Sequence, residues 1–198
     1  MKRFISILFV IFFFASLTFA DSPLTSTPIH EAYSDVDMVV KAKKKGKMNS
    51  EIAEFLSSKV NSIDEKAAVI NALGWEFDGK NNAERYAKFI YDKKLSELDL
   101  GELKDDDLFC IGYMQALDDY FNPSKALPYL EEAVKKDDQS FTIAVILALV
   151  KAQKIMDSGN WCKMWEVTYD VFNDKHLIGD LRDGAKKIIR DYMILYKC

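Results

Sequence analysis

The residues of this chain that could do chemistry are three cysteines, two histidines and three short acidic runs. Cys110, Cys162 and Cys198 form no Cys-x-x-Cys pair, and His30 and His176 lie far apart, so the ligand spacing of a zinc or redox centre is missing. The acidic runs are Asp105-Asp106-Asp107, Asp118-Asp119 and Asp137-Asp138. Acid–base cleavage of a glycosidic bond would need two carboxylates across a cleft, one with a raised pKa. These runs instead fall at predicted helix ends or exposed faces, where an acidic side chain caps a helix or faces water. No Gly-x-Ser-x-Gly elbow, calcium loop or glycine-rich phosphate loop occurs, and Cys110 sits inside Leu108-Phe109-Cys110-Ile111, the setting of a buried thiol. The residues therefore predict no catalytic group, no metal and no cofactor.

The elements that must position these residues begin after an export signal. Met1-Lys2-Arg3 is followed by an apolar run from Phe4 and by Ser16-Leu17-Thr18-Phe19-Ala20, the charged, apolar and small-residue order of a signal peptide over residues 1–20, cleaved after Ala20. A retained anchor is the alternative, but the run is short of the roughly 20 residues that cross a bilayer. The mature protein is then expected in the periplasm or secreted, with no stable membrane insertion. Residues 21–27, with Pro23, form an extended leader, and 28–198 suit a single all-helical domain. Without Lys2 and Arg3 the 27 basic side chains become 25 against 31 acidic, net −6, which argues against nucleic acid or an anionic membrane surface as partner. No Asn-x-Ser/Thr acceptor with a non-proline middle residue occurs, which favours a bacterial source.

Helical periodicity recurs about nine times. Pro28 to Gly46 carries Ile29, Tyr33, Val36, Val39 and Val40, and a second helix starts near Ser50. Ser62 with Glu65 reads as a capping box for a third helix that runs through Phe77 to Gly79. Asn82 caps a fourth, the fifth holds Leu108 to Tyr120, and Asn122-Pro123 opens a sixth. Ser140 starts a seventh whose run Ile143 to Val150 is apolar all round, as in a helix buried on most sides. Asn160 recaps an eighth, and a ninth starts near Ile178. Short polar connections favour antiparallel hairpins, so Cys162 and Cys198 come to the same end of the last one, where a disulfide can join them.

Ala83 to Ile90 aligns with Ala126 to Ala133 at an offset of 43, and Cys162 and Trp165 follow Ala126 and Tyr129 at 36. Through these offsets, Gly112 and Ala126-x-x-x-Leu130-x-x-Ala133, the chain resembles the tetratricopeptide and Sel1-like repeat families over about residues 62–174. The resemblance implies an all-α stack of antiparallel hairpins that binds a protein or peptide; an irregular helical bundle reaches the same spacing by hairpin length alone. It also implies that first helices line a concave groove, so that Phe109, Tyr113 and Tyr120 would contact the partner, whereas in a bundle these rings are core. An enzyme or an inhibitor acting on envelope or extracellular targets are the competing functions.

Overall fold

The computed structural model describes residues 22–198, so the expected signal peptide lies outside the described residues. Among these the protein is all-α, with nine helices: α1 Asp37–Lys45, α2 Ser50–Ser57, α3 Ile63–Leu73, α4 Asn82–Tyr91, α5 Asp105–Asp118, α6 Leu127–Lys136, α7 Phe141–Met156, α8 Trp161–Asn173 and α9 Asp183–Met193. None is long and apolar enough to cross a membrane.

Helix α5 is the hub. It packs against α2, α3, α4 and α6, and residues 107–114 are buried without interruption. Gly112 permits the approach of α6: a Cβ there would lie 2.7 Å from Leu130 Cγ and 3.1 Å from Tyr129 Cβ. Helix α7, whose apolar run predicts burial on most sides, packs against α6 and α8 and touches α3 and α5. Its hydroxyl cap is Ser140, which accepts from the Ile143 amide at 3.2 Å.

Several helix boundaries differ from the sequence expectation, among them the sixth, where Asn122-Pro123 opens a 3-10 turn, Pro123–Lys125, and α6 begins at Leu127. The first predicted helix is a 3-10 turn, Ile29–Tyr33, followed by a break and α1, because Tyr33 and Ala32 are engaged by Arg182 from the far end of the chain. Helix α3 stops at Leu73 and does not reach Phe77: Gly74 takes φ 69°, and the Lys80 ammonium donates to the Leu73 carbonyl at 2.6 Å. Helix α9 starts at Asp183 because Ile178 bonds the Gln139 and Phe141 main chain, while the Asp180 carboxylate accepts from the Thr142 amide at 2.8 Å and from the Ser140 hydroxyl at 2.6 Å.

Candidate functional site

The aromatic stripe expected to line a groove is in the core. Phe109, Tyr113 and Tyr120 are 0, 1 and 2 % exposed, because α5 has neighbours around it and no face left for a partner. The Tyr113 hydroxyl accepts from Asn71 Nδ2 at 3.0 Å, and Asn71 also donates to the Thr27 carbonyl and accepts from the His30 amide. Burial pushes the Tyr113 phenol well above its usual range.

Asp107, expected at a solvated position, is buried as well. Asp107 accepts from the hydroxyls of Tyr86 and of Tyr91, the latter at 2.5 Å, and Lys66, with a fully buried side chain, donates to Asp106 at 2.5 Å. Desolvation raises both phenols and the Cys110 thiol, so all three stay neutral at ordinary pH. A neutral thiol is a poor nucleophile, and each Asp107 oxygen accepts from a phenol. What this cluster does is join α3, α4 and α5. The signal for it was present in the sequence: Asp107 shares a helical face with Cys110, Ile111 and Met114. A cleft of about 450 Å³ beside it is lined by Asp105, Asp106, Lys59, Lys104 and Lys136, whose opposite charges face one another.

The more distinctive arrangement lies at the other end of α5. The loop between α3 and α4 runs over the α5 terminus, with Gly79 at φ 80° so close that a Cβ would lie 2.9 Å from the Asp118 carbonyl. That carbonyl accepts from the Lys80 amide at 2.8 Å, and the Asp118 carboxylate accepts from the Ala83 amide at 2.8 Å. The loop is thereby held open as one wall of a cleft of about 460 Å³ that includes Phe77, Asp118, Asp119, Tyr120, Phe121 and Lys125. Phe77 and Phe121 are 73 and 54 % exposed and meet edge to face at 5.4 Å; Tyr120 sits beneath, 4.2 Å from the Phe121 ring and 4.8 Å from Trp75. Desolvation by burial raises the Asp118 carboxyl above the usual carboxylate range, with the Ala83 and Asn82 amides and Lys80 working against it.

Cys162 and Cys198 are joined in a disulfide with Cα atoms 5.4 Å apart, and Cys110 is free and buried. Beside the bond, Trp161 stacks on Tyr196 at 5.8 Å, and Tyr196 shares a hydroxyl hydrogen bond with Tyr192. Among the described residues no group of three or more His, Cys, Asp or Glu could hold a metal ion. No protein-family model matches the chain, and comparison with characterised proteins and with solved structures finds no match in either.

Proposed function

We propose that the chain is an exported interaction module that grips a protein or peptide partner at the aromatic-rimmed cleft where the α3–α4 loop crosses the C-terminal end of α5. The observation that carries this is the pair Phe77 and Phe121, two large rings left in water beside a polar cleft. Paired exposed rings that bury on contact are the kind of anchor that dominates binding energy, and polar groups beside them fix the partner's orientation. The Trp161–Tyr196 pair is a weaker candidate because each ring already covers a face of the other. An inhibitor would use the same cleft and differ only in silencing its partner.

A photo-cross-linking residue at Phe121, compared with one at the exposed Lys175, tests this in cells that make the protein. A dominant adduct from position 121, absent from 175 and lost on Phe77→Ser, is expected, from a chain that begins at Asp21. Equal adducts from both positions, or none from 121, would overturn the reading.

A further inference from the structure

A groove of about 310 Å³ runs between the 3-10 turn Ile29–Tyr33 and α1, and it shares no lining residue with the cleft at Phe77 and Phe121. His30 and Glu31 line one side, and Val39, Val40, Lys43 and Lys44 the other. Its size is at the lower end for small-ligand pockets, with room for one large side chain. The surface it offers is mainly apolar, and Val40 is 52 % exposed. The wall on the turn is fixed before anything binds: the His30 amide and Nδ1 both donate to Asn71 Oδ1, at 3.1 and 2.7 Å, and Arg182 holds the Ala32 carbonyl. Side chains of a helix lean toward its N-terminus, so Lys43 and Lys44, one turn beyond Val39 and Val40, carry their charges to the rim of the groove.

The charge at this rim is uncommitted. Residues 41–47 hold five lysines and no acid, whereas the rest of the chain has 22 basic side chains against 31 acidic. Lys41 pairs with Glu51, but Lys43, Lys44, Lys45 and Lys47 make no hydrogen bond or ion pair among the described residues. The dipole of α1 favours cations at its C-terminus, yet that end is already served. The Gly46 amide donates to the Ala42 carbonyl at 2.8 Å, and the Lys80 ammonium donates to the Gly46 carbonyl at 2.6 Å. Glu31 is the one acid of the lining, against two lysines. We propose that this groove docks an acidic segment of a partner protein, seating one large apolar side chain between His30 and Val40 and pairing the flanking carboxylates with Lys43 and Lys44. The apolar contact supplies affinity, and the charges supply selectivity and speed of encounter. An anionic bilayer fits less well on two grounds. The apolar surface is concave and receives a side chain, whereas contact with lipid needs apolar side chains that protrude. A short segment also feels mainly the charges within the screening length, about 8 Å at physiological ionic strength, while an extended bilayer meets the acidic remainder of the chain as well.

The test is an NMR titration of the purified chain with the peptide acetyl-Glu-Glu-Phe-Glu-Glu-amide. Saturable shifts of the Glu31, Val40 and Lys44 main-chain amides are expected. Replacing the peptide's glutamates by glutamines, or its phenylalanine by serine, should each weaken binding at least about tenfold. In the protein, Lys43→Gln with Lys44→Gln should weaken it at least about fivefold. Lys45→Gln with Lys47→Gln removes the same charge outside the groove and should change binding by less than about twofold. All of these lysines are exposed, so circular dichroism should show the fold intact in both double variants. No saturable binding, equal binding of the peptide and its two counterparts, or equal loss in both double variants would overturn the proposal. Binding to phosphatidylcholine vesicles that carry phosphatidylserine, with none to the peptide, would overturn it too and make the lysine run a lipid contact.

Discussion

Asp118 is an acidic side chain that the fold buries against its preference for water. Burial raises its carboxyl above the ordinary range, so the folded chain holds that proton more tightly than the unfolded chain does. The stability this group contributes is complete below the unfolded carboxylate pKa and is lost as pH rises through the higher folded value. Asp118→Asn removes the titrating group, retains an acceptor for the Ala83 amide and brings an N–H donor one turn from Gln115 Oε1. We expect the variant to be more stable than the parent at pH 7, by on the order of 1 kcal/mol, with the advantage gone near pH 3.5. Urea melts at the two pH values read it directly, and a less stable variant at pH 7 would contradict it. Neither Asp118 nor Asp107 was legible as buried from acid runs alone, because a run of two or three acids reads as a cap or a solvated face. The apolar residues one turn away, Met114 for Asp118 and Cys110, Ile111 for Asp107, are the only local sign of burial. Exposed Phe77 gave no sign at all: on period it continues the apolar face of α3, and only the turn at Gly74 puts it outside the helix.

Between elements, the α5–α6 contact shows how one residue sets the distance of two helices. Alanine has the higher helix propensity, so in isolation Gly112→Ala would favour α5 by about 1 kcal/mol. The added methyl would lie 2.7 Å from Leu130 Cγ, a branch point near the α6 main chain that cannot swing aside like the end of a long side chain. Overpacking of that kind costs about 1–3 kcal/mol, so a net destabilisation of up to about 2 kcal/mol is expected. Denaturant unfolding of the variant measures it, and a gain in stability would show that α6 shifts freely. Helix existence was legible throughout, because apolar residues recurred with period 3.6 and Ser140 and Asn160 marked starts that their side chains do cap. Three of the misplaced boundaries share one cause. At Tyr33, Leu73 and Ile178 the main chain or side chain is taken by residues distant in sequence or across a loop, and such contacts leave no periodic trace. The aromatic stripe of α5 failed for the complementary reason. Its spacing fits a partner-facing helix and a surrounded one equally, and the helices on several sides of α5 decide for the core.

Across the whole molecule, the two ends of the described chain are closed onto one another and onto the bundle by two unlike devices. Arg182 donates to Asp35 at 2.5 Å and to the Ala32 carbonyl at 3.1 Å, lies over the Tyr33 ring, and its amide donates to the Tyr33 hydroxyl. That hydroxyl donates in turn to Asp64 at 2.8 Å, so the start of α9 is bound to the N-terminal turn and to α3 without any covalent link. Beyond α9 the chain has little such support: Ile194 and Leu195 are exposed, and α8 buries only Met164 and Thr168. The Cys162–Cys198 bond closes this end across a sequence separation of 36, which in the chain-entropy model is worth about 3–4 kcal/mol. Because the Arg182 clamp is independent of it, replacing both cysteines by serine should loosen α8 and the last residues while α5 and α7 keep their packing. We expect C162S/C198S to melt roughly 10 °C below the oxidised parent. Amide exchange should quicken in residues 161–173 and 194–198 and stay slow in 107–114, which the core surrounds. An unchanged melting temperature would mean that the Trp161–Tyr196 stack and the Tyr192–Tyr196 hydrogen bond already hold the terminus, and uniform loss of protection would mean that the bond supports the whole bundle.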